Sequence, residues 1–172
     1  MEKKTLFLLI GIFWLAIIIG FIGFKEFTLR SGQEILLKTR PVDPRDMFRG
    51  DYVVLNYEIS SLDLNNIPSD SKEFKVNDKV YVSLKVENGY GSVAGVYMNA
   101  PESGLYIKGK IIDASGSRLI FEYGIESYFV PEGKGREVEQ YRGRLDVKVS
   151  IDKFGNAVIK SLVVEGKELN FK

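Results

Sequence analysis

The chain has 172 residues, with 24 lysines and arginines against 23 aspartates and glutamates, a formal net charge of +1, and neither cysteine nor histidine. This balance offers no basic footprint for nucleic acid, and the missing cysteines exclude disulfides, thiolate nucleophiles and thiolate metal sites. Without histidine there is no Ser-His-Asp mechanism and the commonest metal ligand is missing; no cofactor and no bound metal is expected.

Residues 5–24, TLFLLIGIFWLAIIIGFIGF, carry no charge. A helix of that length is about 30 Å long, which matches the hydrocarbon core of a bilayer. The run exceeds the roughly 7 to 15 apolar residues of a signal-peptide core, and no A-x-A-like cleavage site follows it. It is therefore expected to be an uncleaved signal anchor that meets the lipid bilayer through residues 5–24 in a single pass. Lys3 and Lys4 stand on one side, with Lys25, Glu26 and Arg30 on the other. The mild positive-inside bias favours a cytoplasmic N-terminus and a domain on the extracytoplasmic side. Gly20 and Gly23 lack the GxxxG spacing of a helix-packing face. The chain divides into an anchor, residues 1–25, and one β-rich domain, residues 26–172.

The domain reads as short strands punctuated by turns. Gln33 to Thr39 is the first strand and Asp51 to Ile59 the second, followed by a long connection from Ser60 to Lys75 with at most one helical turn. Lys79 to Val86 alternates, with Val80, Val82, Leu84 and Val86 inward. Asn88-Gly89 then signals a type I′ hairpin, with the return strand from Gly91 to Asn99. Leu105 to Asp113 and Ser117 to Tyr123 flank Ala114-Ser115-Gly116, and Arg144 to Asp152 and Asn156 to Val164 flank Lys153-Phe154-Gly155. Between these hairpins lie an apolar piece, Tyr128 to Val130, and a short polar helix after Pro131, weakened by Gly133 and Gly135. The expected fold class is mainly β: a barrel- or sandwich-like domain of about eight or nine strands with one short helix.

Special residues concentrate in PVDPRDMFRGDYVVLNY, Pro41 to Tyr57. Pro41 and Pro44 push Arg40 and Asp43 toward extended backbone, and Gly50 allows a tight turn before the strand. Val53, Leu55 and Tyr57 fall on one face of that strand, Tyr52, Val54 and Asn56 on the other. Two partly apolar faces predict an interior strand.

GDYVVLNY, with Gly50, Asp51, Tyr52, Leu55 and Tyr57, fits the G-D-Y-x-x-L-x-Y signature and so resembles the GDYXXLXY protein family. The approach PVDPRDMFR and the second segment YGIESYFVPEGKGREVE, Tyr123 to Glu139, are similar to that family too. The resemblance implies a prokaryotic, membrane-associated protein, often beside or fused to a polytopic membrane protein. It implies an address and no reaction.

Acids and arginines alternate in both segments: Asp43, Asp46 and Asp51 with Arg45 and Arg49, then Glu126, Glu132, Glu137 and Glu139 with Arg136. If the segments meet, they could form a carboxylate pair for acid and base work or an all-oxygen Ca²⁺ or Mg²⁺ site. The simpler expectation is that Asp43 and Asp51 brace their own turns. There is no D-x-D-x-D-G calcium loop. Tyr52, Tyr57, Tyr123, Tyr128 and Phe129 would either line an interaction surface or pack in the core.

MFRGDYVV also resembles the run after the nucleophile of signal-peptidase-like membrane proteases. Asp46 stands where the serine belongs, Arg49 where proline is usual, and no lysine-base motif follows. The expected role is thus a non-catalytic accessory module for a polytopic membrane partner. Its candidate surface is Asp43, Arg45, Asp46, Arg49, Gly50, Asp51, Tyr52, Tyr57, Glu126, Tyr128, Glu132, Arg136 and Glu137. The alternative is a membrane-tethered hydrolase, with a signal-peptidase-like fold or carboxylate-based glycan or peptide chemistry. Binding of carbohydrate or wall polymer is a third option.

Overall fold

The computed structural model describes residues 3–41, 52–71, 73–135, 138, 140–141 and 143–171. Its first element is α1 (Lys3–Ser31), 29 residues, or about 43 Å at 1.5 Å rise per residue. It is long and apolar enough to cross a membrane, and none of its most apolar 18-residue window is buried in the domain.

The rest is β structure: β1 (Gln33–Lys38), β2 (Tyr52–Val54), β3 (Ser61–Asp63), β4 (Lys79–Glu87), β5 (Tyr90–Tyr97), β6 (Leu105–Ser115), β7 (Arg118–Glu122), β8 (Ser127–Phe129), β9 (Leu145–Ile151), β10 (Ala157–Val164) and β11 (Lys167–Glu168). Nine of these strands form one sheet, ordered β11-β10-β9-β1-β5-β4-β6-β7-β3, while β2 and β8 form a separate pair. The protein is mainly β with one N-terminal apolar helix, as the sequence predicts.

Turn chemistry sets much of the order. Asn88 and Gly89 have φ of 52° and 85°, the two positive values a type I′ turn requires, and they join β4 to β5. Glu165 and Gly166, at 49° and 80°, make a further tight turn into β11 that the strand pattern misses. β1 is the pivot. It pairs antiparallel with β9 from Gln33↔Ile151 to Lys38↔Asp146 and parallel with β5 at Leu36↔Tyr90. The sheet curls until the chain entering β3 meets the end of β1, through a Thr39↔Tyr57 bridge and an Arg40 N to Asn56 O bond of 2.7 Å. Leu37, Val82, Ile107 and Val147 fill the enclosed core with no exposure.

The second predicted strand differs from expectation. Val53, Leu55 and Tyr57 do point inward, but only Tyr52–Val54 is strand, and it pairs with β8 instead of joining the large sheet. Its second half-apolar face reflects a covering layer, partly wet on the outside. After Tyr57 the backbone tightens into a 3₁₀ turn, Glu58–Ser60. The predicted connection from Ser60 onward contains β3 and a second such turn, Leu64–Asn66, capped by Asp63 accepting from Asn65 N. Val86, expected inward, is 37 % exposed because β4 outruns the core. Near the predicted polar helix, Val138 N donates to Lys134 O at 3.4 Å, and Val138 is completely buried.

Gly32 alone separates α1 from β1, and the junction is bonded from both sides. Thr28, the buried residue of α1, donates its hydroxyl to Asp152 Oδ2 at 2.9 Å, and Ser150 Oγ donates to Thr28 O at 2.7 Å. Asp152 also accepts from Phe154 N, Asn156 N and Asn156 Nδ2 at 2.8 to 2.9 Å. Burial alone would raise its pKa, but the Asn156, Thr28 and Phe154 donors outweigh that and hold it below the ordinary value.

Candidate functional site at the junction of the two segments

The two motif segments meet through residues 52–59 of the first and 123–129 of the second. Tyr52, Val53 and Val54 pair antiparallel with Phe129, Tyr128 and Ser127, and Leu55 N continues the ladder to Glu126 O at 2.8 Å. Beyond the ladder the tyrosines take over. Tyr57 donates its hydroxyl to Ile125 O at 2.5 Å, and Tyr123 donates to Ile59 O at 2.6 Å. Both rings are buried, Tyr57 entirely and Tyr123 to 8 % exposure. Burial, with the Glu126 carboxylate behind it, pushes both phenols well above the ordinary tyrosine pKa. They are neutral donors, fixed in place.

Gly124 makes this geometry by turning at φ 78°, a backbone state that glycine adopts at little cost. The turn lets Glu126 fold back and accept from Tyr123 N at 2.5 Å. Burial pushes the Glu126 carboxyl upward, the amides of Tyr123, Glu126 and Gly124 pull it down, and Glu122 pushes it up again; the net direction is upward. At the other end of the β2–β8 pair, the Tyr52 and Phe129 rings lie 5.9 Å apart, with Phe129 77 % exposed.

Of the predicted site residues, Tyr57 and Glu126 hold this junction together. Tyr52 and Tyr128 are half-buried on the β2–β8 pair, and Glu132 is exposed beyond it. Asp43, Arg45, Asp46, Arg49, Gly50, Asp51, Arg136 and Glu137 lie outside the described residues, as does Glu139. The described groups at the junction brace backbone. Among the described residues, no three Asp, Glu, His or Cys side chains group closely enough to hold a metal ion.

A larger cleft, about 790 Å³, opens where β1 and β5 diverge, between Lys38 and Arg40 on one wall and Glu58 and Asp63 on the other. The strand pattern does not signal it, since it arises from a single parallel contact. Two of its acids are engaged. Asp63 is held below the ordinary carboxylate value by the Asn65 amide and the Ser117 hydroxyl, and Glu87 by Lys85. Tyr90 donates to Asp146 Oδ2 at 2.8 Å, which raises its own pKa.

The family model described as GDYXXLXY protein matches residues 14–162, most of the chain, and so takes in both segments and their junction. No curated protein and no solved structure matches the chain. With the signature residues Tyr52, Leu55 and Tyr57 in one ladder-and-clasp arrangement, and the match running from the apolar helix to β10, the chain belongs to the GDYXXLXY family.

Proposed function

We propose that the protein is a single-pass membrane-anchored domain, its β-rich part on the extracytoplasmic side, that serves as a non-catalytic accessory module to a polytopic membrane protein. The observation that carries this reading is the use made of the motif side chains. Tyr57, Tyr123 and Glu126 are all turned onto backbone groups of the junction, which builds a rigid support from the described motif side chains. The apolar length of α1 supports the anchor, and its direct bonding to the sheet would hold the domain beside anything in the same bilayer. The charged residues flanking the β2–β8 pair in sequence, Asp51 and Glu132, are then the natural contacts for a partner.

Full-length tagged protein purified from membranes in mild detergent should bring down one integral membrane protein in stoichiometric amount, and Asp51→Ala or Glu132→Ala should reduce its recovery several-fold. Recovery of no partner, together with turnover of a peptide or glycan that Asp46→Asn abolishes, would replace this reading with an enzymatic one.

A further inference from the structure

A membrane anchor often holds its domain away from the lipid on a linker. Here no linker exists, because β1 begins after Gly32. The apolar run ends at Phe24, seven residues before the end of α1, about 10 Å along the axis. Headgroups occupy about 5 to 8 Å on each side of the hydrocarbon.

The domain does not begin only where the helix stops; it reaches back along it. Lys25, the first residue past the apolar run, shares a cleft of about 400 Å³ with Ser127, Tyr128, Phe129 and Val158. One turn further on, Thr28 is bonded to Asp152, whose turn carries Lys153 and Phe154. Among the described residues beyond the helix, Phe129 and Phe154 are the exposed phenylalanines, at 77 % and 51 %. Phe129 closes β8 on the rim of the cleft that Lys25 lines, and Phe154 lies in the turn that Thr28 meets through Asp152. Phe27, between those contacts on the helix itself, is 56 % exposed. A cation accompanies each ring: Lys25 lines the cleft with Phe129, and Lys153 Nζ lies 5.0 Å from the Phe154 ring centroid.

We infer that the domain is seated directly on the lipid surface from which α1 emerges, with Phe129 and Phe154 inserted at headgroup level and Lys25 and Lys153 facing lipid phosphates. The inference rests on α1 being a membrane span. Rings that water would leave exposed gain an apolar environment at that depth, where aromatic side chains concentrate, and basic groups there are attracted to anionic lipid. The seat also fixes the tilt of the sheet, since the two rings and the helix make three points of support.

Trp14, the only tryptophan and the middle of the apolar run, makes the test direct. Full-length protein is placed in nanodiscs of phosphatidylcholine with a minority of phosphatidylglycerol, carrying bromine either near the glycerol end or near the methyl end of the acyl chain. In the wild type, Trp14 should be quenched most by methyl-end bromine. In Trp14→Phe combined with Phe129→Trp or with Phe154→Trp, the indole should be quenched several-fold more by glycerol-end bromine. Circular dichroism checks that each variant keeps the β fold.

Quenching of Trp14 without quenching at either substituted ring would leave the span standing and overturn the seat. No quenching of Trp14 would overturn the span itself. Substituted indoles shielded from acrylamide but untouched by bromolipid would mean that a second copy covers this face, which also overturns the seat.

Discussion

Tyr57 and Tyr123 clasp each other's strands reciprocally. Tyr57 bonds the carbonyl of Ile125, two residues past Tyr123, and Tyr123 bonds the carbonyl of Ile59, two residues past Tyr57. The pair therefore closes the chain entering β3 onto the chain leaving β7, where the β2–β8 ladder has ended. Replacing either tyrosine by phenylalanine keeps the ring and strands one buried carbonyl, so Tyr57→Phe and Tyr123→Phe should each cost about 1 to 3 kcal/mol. Because both bonds hold the same two segments, the double variant should differ from the sum of the singles by at least about 0.5 kcal/mol. Urea denaturation of the four proteins in one detergent checks this; strict additivity would mean two independent bonds.

Glu126 should make the domain less stable as pH rises out of the acid range. Its folded pKa is raised above 4.5, chiefly by burial, so the folded state takes up a proton before the unfolded state does. Its stabilising contribution is complete below 4.5 and is lost as pH rises through the folded value. Glu126→Gln keeps an oxygen for the Tyr123 amide and removes the charge. It should melt above the wild type near neutral pH and converge with it below 4.5. Glu126→Leu leaves the Tyr123 amide without an acceptor and should melt lower throughout. Thermal melts of the three proteins across that range decide the matter.

The contrast between hairpins and junctions explains what the sequence discloses. Asn88-Gly89 and Lys153-Phe154-Gly155 were legible because a turn depends on a few adjacent residues, and the observed positive φ at Gly89 and Gly155 is what those residues favour. Alternation correctly put Val53, Leu55 and Tyr57 inward. It could not say that the strand carrying them pairs with β8 and leaves the large sheet, because periodicity defines faces and not partners. For the same reason, the spacing of the two motif segments raises the question of whether they meet and cannot answer it. The Thr28–Asp152 bond had no local signal at all, since it joins residues 124 positions apart, and a threonine near a helix end looks like an ordinary polar exit.

That bond and Gly32 yield the sharpest mutational test of how the helix is joined to the sheet. A Cβ on Gly32 would collide with Ser150 Oγ and lie 2.7 Å from the Thr28 carbonyl and 2.9 Å from the Ile151 carbonyl carbon. Much of that obstruction is backbone, which cannot rotate away. Gly32→Ala should therefore push α1 off β9 at a cost of about 1 to 3 kcal/mol, the usual scale of overpacking. Gly20→Ala, with nothing within 4 Å, should leave stability unchanged.

Asp152 tests the same joint by charge. Its folded pKa is lowered below 3.8, so the stability it adds is present above that value and lost as pH falls through the folded one, opposite in sign to Glu126. Asp152→Ala removes the acceptor for Thr28, Phe154 and Asn156 together. Four hydrogen bonds to a charged acceptor are lost at once, each worth about 1.5 to 3 kcal/mol, so the loss should exceed that of Gly32→Ala. Limited proteolysis localises the effect: both variants should be cut between Lys25 and Gln33 well before the β domain is degraded, while the wild type and Gly20→Ala resist. Cleavage at the joint that is equally slow in all four proteins would mean that α1 and the sheet are held together by something other than this cluster.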